Sequence, residues 1–156
     1  MTPRRLAQLA AAVLAALAAP SALAQNAPAA PVEMKPADVQ WKDDARAPGL
    51  KMAVMSGDPK QVGLYVVRVK LAKDAKLQPH THPDVRYTTI LAGEVMVGFG
   101  ETFDAAKMKA YPAGTLIIFP ANSPHYVWSK TGETIIQDVG IGPTGSTPVT
   151  ASASQR

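Results

Sequence analysis

Residues 65–71 read YVVRVKL, and the order of side chains in that stretch decides the architecture. Tyr65, Val67, Val69 and Leu71 alternate with Val66, Arg68 and Lys70, so a two-residue period gives one apolar face and one carrying two charges. This is the pattern of a β-strand with one side buried and one wet; a helix needs apolar residues every three or four positions. Outward from this strand, β-like runs recur at 51–55, 87–91, 95–99, 115–119, 125–129 and 134–139. Turn formers separate them, among them Gly57-Asp58-Pro59, Ala92-Gly93-Glu94, Pro112-Ala113-Gly114, Asn122-Ser123-Pro124 and Lys130-Thr131-Gly132. Beyond the N-terminal segment no stretch sustains a helical apolar period, and only 104–109 suggests a helical turn. Short strands with frequent turns predict an all-β single domain, a β-sandwich or small barrel.

The ends of the chain read differently. Residues 1–24 have the build of a secretory signal peptide: Arg4 and Arg5 form a basic start, an Ala/Leu run follows, and Ala22-Leu23-Ala24 is a small-residue cleavage site. The apolar run is shorter than the roughly 20 residues a membrane-crossing helix needs, and Gln8 interrupts it. The expected location is therefore periplasmic or secreted, with no membrane attachment after cleavage; the arginine pair allows either general or twin-arginine export. Residues 25–36 are Ala- and Pro-rich and predict a flexible leader, while 142–156, small and polar, predict a flexible C-terminal tail. Residues 37–141 remain for the domain.

The chain carries 16 Lys and Arg against 12 Asp and Glu; without Arg4 and Arg5 the balance is 14 against 12. The basic residues form no stripe, so nucleic acid is not an expected partner. With no cysteine there can be no disulfide, thiolate ligand or thiol nucleophile. Metal chemistry here must rest on His, carboxylates or Met.

All three histidines, His80, His82 and His125, fall inside the predicted domain. His80 and His82 stand two apart in an extended segment, which sends both imidazoles to one face. His125 begins another β-like run that an antiparallel fold can bring opposite them. Neutral imidazoles bind Zn, Fe, Cu and Ni, whereas a polar loop tip plus a third histidine elsewhere is the alternative the residues alone leave open.

The wider spacing resembles the cupin superfamily, whose motifs are G-x5-H-x-H-x3,4-E-x6-G and G-x5-P-x-G-x2-H-x3-N. The first runs here as Asp74, His80, His82, Arg86 and Gly93, the second as Gly114, Pro120, Asn122, His125 and Ser129, with every interval kept. The resemblance spans about residues 64–139 and implies a cupin-type β-sandwich, or small jelly-roll barrel, with one divalent transition metal. It puts iron first, with Cu, Mn, Zn or Ni as alternatives. Four residue types depart. Asp74 and Asn122 replace glycines but tolerate left-handed turns, and Ser129 replaces an amide that is no metal ligand. Arg86 replaces the family's carboxylate ligand.

A guanidinium cannot coordinate a metal. A dication 5 Å away repels it by about 6 kcal/mol at an effective dielectric constant near 20. Arg86 must therefore turn to an acid such as Asp84 or Glu94, or share an anionic substrate with the metal. The expected function is a metal-dependent, dioxygenase-like enzyme acting on a small anionic or chelating organic molecule, with Arg86 and Tyr87 as catalytic candidates. The alternatives are a non-catalytic binding protein for a metal or metabolite, and an isomerase or lyase using Zn, Mn or Ni. Asp84 is a candidate fourth ligand. Tyr65, Met96, Phe99, Phe119, Tyr126 and Trp128 are first of all core residues, as are Met52, Met55 and Met108 in preference to copper handling. A homodimer is expected by resemblance only.

Overall fold

The computed structural model describes residues 30–150. The expected signal peptide, the leader up to residue 29 and the last six residues lie outside that range. Eleven strands form: β1 Lys42–Asp43, β2 Leu50–Ser56, β3 Gly63–Leu71, β4 Lys76–Thr81, β5 Arg86–Ala92, β6 Glu94–Phe99, β7 Lys109–Pro112, β8 Leu116–Phe119, β9 His125–Trp128, β10 Thr134–Gly142 and β11 Thr147–Pro148. Two 3-10 turns, Pro36–Asp38 and Ala105–Lys107, are the only helical pieces among the described residues. The second satisfies the expectation at 104–109, and Asp104 caps it by accepting from the Ala106 amide.

Antiparallel pairing builds a six-stranded sheet in the order β1-β2-β3-β10-β5-β8 and a five-stranded sheet in the order β11-β4-β9-β6-β7. Their inner faces meet as the expected all-β sandwich. The alternation in β3 holds: Tyr65, Val67, Val69 and Leu71 are buried, and the residues between them are half-exposed. Leu71, Ile90, Ile136 and Phe119 from the larger sheet pack with Leu77, Val95, Val97 and Val127 from the smaller. Each such side chain contributes about 1.5–3 kcal/mol on full burial.

Asp74 and Asn122 adopt φ of 65° and 58°, the left-handed region their residue types tolerate. Gly93 has φ 74°, and a Cβ there would lie 2.3 Å from the Glu133 carbonyl oxygen, so the β5–β6 turn needs glycine. Ser129 closes the β9–β10 turn instead of serving the cavity: its hydroxyl donates to the Gly132 carbonyl and lies 2.7 Å from Thr134 Oγ1.

The tail expectation needs correction over 142–149. β10 runs on to Gly142, the Thr144 amide donates to the Pro59 carbonyl, and β11 pairs with Thr81 and His80 of β4. Small polar residues without an apolar period carry little side-chain signal, but their backbone groups complete the sheet edge.

Candidate metal centre

The histidines converge through the pairing of β4 with β9, where His80 stands opposite His125. Between the Leu77–Val127 and His80–His125 pairs, β4 spends three steps and β9 two. This β-bulge, at Gln78-Pro79, lets Leu77 and His80 both face inward despite their odd separation. His82 follows two residues later on the same side. All three rings are buried, and one ring nitrogen from each lies within 4.8 Å of the others.

Backbone carbonyls orient every ring. His80 Nδ1 lies 2.7 Å from the Gln78 oxygen, His82 Nδ1 2.6 Å from Gly145, and His125 Nδ1 3.0 Å from Ser123. A carbonyl only accepts, so each Nδ1 carries the proton and each Nε2 keeps its lone pair. Burial, reinforced by the neighbouring His125, pushes the His80 pKa down to about 4. Burial and the adjacent Arg86 push His82 down to about 2, and burial lowers His125 as well. At neutral pH the cluster presents three uncharged imidazoles with fixed tautomers, a donor set that fits a divalent transition metal.

Arg86 opposes that fit. The first residue of β5, it is buried, and its Nη1 lies 3.2 Å from His82 Nε2, on the lone pair a metal would use. Nη2 donates to Thr144 Oγ1 at 2.8 Å and to the Gly145 carbonyl at 3.4 Å. Two acids flank the guanidinium: Asp84 Oδ2 is 3.7 Å from Nε and Asp138 Oδ2 is 3.6 Å from Nη1. The expected partner Asp84 is therefore present, Glu94 is not, and Asp138 joins it. Asp84 accepts hydrogen bonds from the Tyr65 and Thr144 hydroxyls. Those commitments turn it from the cluster, and it is not among the grouped ligand atoms, so the fourth-ligand reading does not hold. Burial, with Asp84 as acceptor, raises the Tyr65 pKa to about 12. Burial also raises Asp138, against the lowering influence of Arg86 and the Thr88 hydroxyl 2.6 Å away.

Tyr87 is not part of the site. It follows Arg86 directly in β5, and adjacent strand residues face opposite sides, so it points outward at 48% exposure, beside Ile118 of β8. Phe119 is brought in, its ring centroid 4.4 Å from that of His125. Of the other aromatics, Tyr126 is buried with its hydroxyl on the Asp104 carbonyl, Trp128 packs under Lys76, and Phe99 is half-exposed. The chamber beside the imidazoles holds only about 40 Å³, walled largely by Val69, Val95, Val97, Phe119 and Ile136. That is room for an ion and a few waters.

Arg46, Asp138, Thr144 and Gly145 are functional neighbours that the sequence reading missed. Asp138 had a signal: it occupies an inward position of an alternating strand, after Thr134 and Ile136. Arg46 and Gly145 had none, because neither lies in a periodic run.

Comparison with known proteins gives a consistent answer. A family model described as Cupin matches residues 55–153. Germin-like protein 3-1 of Oryza sativa subsp. japonica is 31% identical over 68 residues, which cover 43% of this chain and 30% of the rice protein. The match thus spans under a third of that relative's length. Among solved structures, the polyketide cyclase RemF from Streptomyces resistomycificus aligns with a TM-score of 0.67 at 14% identity, over 80% of this chain and 89% of its own. A cupin 2 conserved barrel domain protein from Rhodopseudomonas palustris aligns with a TM-score of 0.60 at 15% identity, over 77% and 86%. At these identities the structural likeness speaks for the fold.

Proposed function

Because this chain belongs to the cupin family, we propose that it is an exported metal-dependent enzyme, dioxygenase-like and with iron as its metal, acting on a small anionic or chelating organic molecule. The observation that supports this reading is the presentation of three neutral Nε2 lone pairs, each fixed by a carbonyl on Nδ1, with no carboxylate in the ligand group. Three protein ligands leave coordination positions for other molecules, the feature that separates catalytic from structural metal sites. When bound, the metal supplies Lewis acidity and, if it is iron or copper, redox chemistry with dioxygen.

His80, His82 and His125 hold the metal in this reading. Phe119 and the surrounding valines exclude bulk water and so strengthen every charge interaction inside. Arg86 exchanges His82 for an anionic group of the substrate and neutralises the negative charge developing there. Proton-transfer chemistry of the isomerase or lyase kind has less support. Tyr87 faces outward, and Tyr65, raised to about 12, is engaged by Asp84.

A second reading, a non-catalytic binding protein, is favoured by the hydrogen bond from Arg86 to His82 and by the small chamber. Metal content per chain of the exported protein, followed by oxygen uptake with diketones, thiols and phenolic acids, tests both. One iron per chain with substrate-dependent uptake supports the enzyme. Stoichiometric metal with no uptake supports the binding protein, and absence of metal removes both metal-based readings. Mass spectrometry of the exported chain tests the export proposal, with Gln25 expected at its N-terminus.

A further inference from the structure

Arg86 lies in the wall between two cavities. On one side is the histidine chamber; on the other is a larger space of about 230 Å³, lined in part by Arg46, Lys60, Thr144 and Ser146. Arg46, Val69, Arg86 and Asp138 border both. The outer space is a largely apolar cleft, walled in part by Met52, Pro59, Val67 and Val69, that carries three cationic side chains, Arg46, Lys60 and Arg86, against Asp44 and Asp138. Asp44 is engaged by Arg46 at 2.7 Å. Lys60 is exposed and makes no ion pair among the described residues. Arg86 Nε is buried with no hydrogen-bond partner.

We propose that the outer cleft binds a small organic monocarboxylate between Lys60 and Arg86, and that this binding draws Arg86 off His82, so that carboxylate and metal bind cooperatively. The proposal rests on the metal-binding reading above. The competition is geometric: Arg86 Nη1 and a metal ion both need His82 Nε2, and a retained guanidinium repels a dication. Asp84 and Asp138 flank Arg86 at 3.7 and 3.6 Å, beyond hydrogen-bond reach, so a carboxylate that forms two parallel charge-assisted hydrogen bonds is a better partner than either acid or the neutral imidazole. A carboxylate in the cleft offers that better partner on the side away from the histidines. At about 230 Å³ against about 40 Å³ the cleft is the roomier of the two spaces and holds a molecule of several non-hydrogen atoms. Coupling between the two sites must then be reciprocal, each ligand tightening the other by the same factor.

The test is a cobalt(II) titration of metal-depleted protein by calorimetry and visible absorption, with propionate or with chloride at equal ionic strength. Propionate should tighten cobalt binding by about tenfold or more in the wild type. The tightening should be lost in Lys60→Gln, whose exposed side chain can be changed without disturbing the core. Arg86→Met should bind cobalt tightly with chloride alone and gain nothing from propionate. Equal wild-type affinity in both salts overturns the proposal while leaving the metal reading intact. Tightening that survives Lys60→Gln also overturns it, because propionate would then be acting as a direct metal ligand. Failure of the wild type and Arg86→Met to bind cobalt in either salt overturns the metal reading and the proposal together. In metal-free protein, propionate should raise the melting temperature of the wild type more than that of Lys60→Gln, and equal shifts count against the cleft.

Discussion

His82 and Arg86, four residues apart, share a hydrogen bond of 3.2 Å between Nε2 and Nη1, at the place where this family's first motif carries a carboxylate ligand. Arg86→Glu should therefore act in opposite directions on the two forms of the protein. Without metal, three carboxylates at 84, 86 and 138 would crowd one buried site, and losing the cation should cost about 3–5 kcal/mol. With metal, the introduced carboxylate supplies a fourth ligand and affinity should rise. Differential scanning calorimetry with and without cobalt(II) reads both, as a lower apo melting temperature and a larger metal-induced shift than in the wild type. An unchanged shift argues that the position lies out of reach of the ion.

The histidines give the metal-free protein a specific pH dependence. Their folded pKa values lie below the unfolded value near 6.5, His80 at about 4 and His82 at about 2. Above pH 6.5 both states are neutral and the stabilisation is complete. As the pH falls from 6.5 toward 4, the unfolded chain gains protons that the folded chain refuses, and stability drops, by about 2 kcal/mol at pH 5 for His80 alone. Asp138, raised by burial, acts in the opposite sense because its folded form takes up a proton first, while His125, lowered by burial, adds to the decline. Urea unfolding of chelator-treated protein from pH 7.5 to 4.5 should show the decline. A flat profile would contradict buried neutral imidazoles.

Tyr65 and Tyr87 make a matched pair for phenylalanine substitution. Tyr65 is fully buried and donates to Asp84, so Tyr65→Phe leaves a buried carboxylate short of one donor and should cost about 1–3 kcal/mol. Tyr87→Phe changes an outward, half-exposed side chain and should stay within about 0.5 kcal/mol, with cobalt affinity unaltered. Chemical denaturation checks the first and a metal titration the second. A loss of metal binding in Tyr87→Phe would mean that the side chain reaches the site by another route.

These residues also show what the sequence could tell. The two-residue period of 65–71 was sufficient for β3, the recurrence of short β-like runs between turns pointed to the all-β class, and the spacing of the motifs implied the meeting of His80, His82 and His125 that the structure shows. The left-handed conformations of Asp74 and Asn122 followed from side-chain type. Tyr87 was a parity error: next to an inward Arg86 it had to face outward, and alternation alone could have excluded it. β4 escaped strand assignment because Pro79 and the bulge break its alternation. Asp138 could be read as inward-facing from the alternation of β10, but nothing local tells an inward aspartate which cation it will meet.

The C-terminal segment was illegible because its contribution is made by backbone. The Gly145 carbonyl fixes the tautomer of His82, Thr144 Oγ1 bridges Arg86 and Asp84, and β11 flanks the strand that carries His80. Ending the chain after Gly142 removes all three supports and leaves the three histidines in place. Loss of such an outer partner ordinarily weakens metal affinity by about 10–100-fold. Cobalt titration of the shortened chain should show that loss, with far-UV circular dichroism confirming that the sheets persist. Thr144→Val separates the contributions: it removes the hydroxyl that holds Arg86 but keeps the Gly145 carbonyl. It should destabilise the fold by about 1–3 kcal/mol and leave metal affinity much closer to wild type than the shortened chain does. Equal affinities in the shortened and full-length chains would show that His82 needs no help from the strand that follows β10.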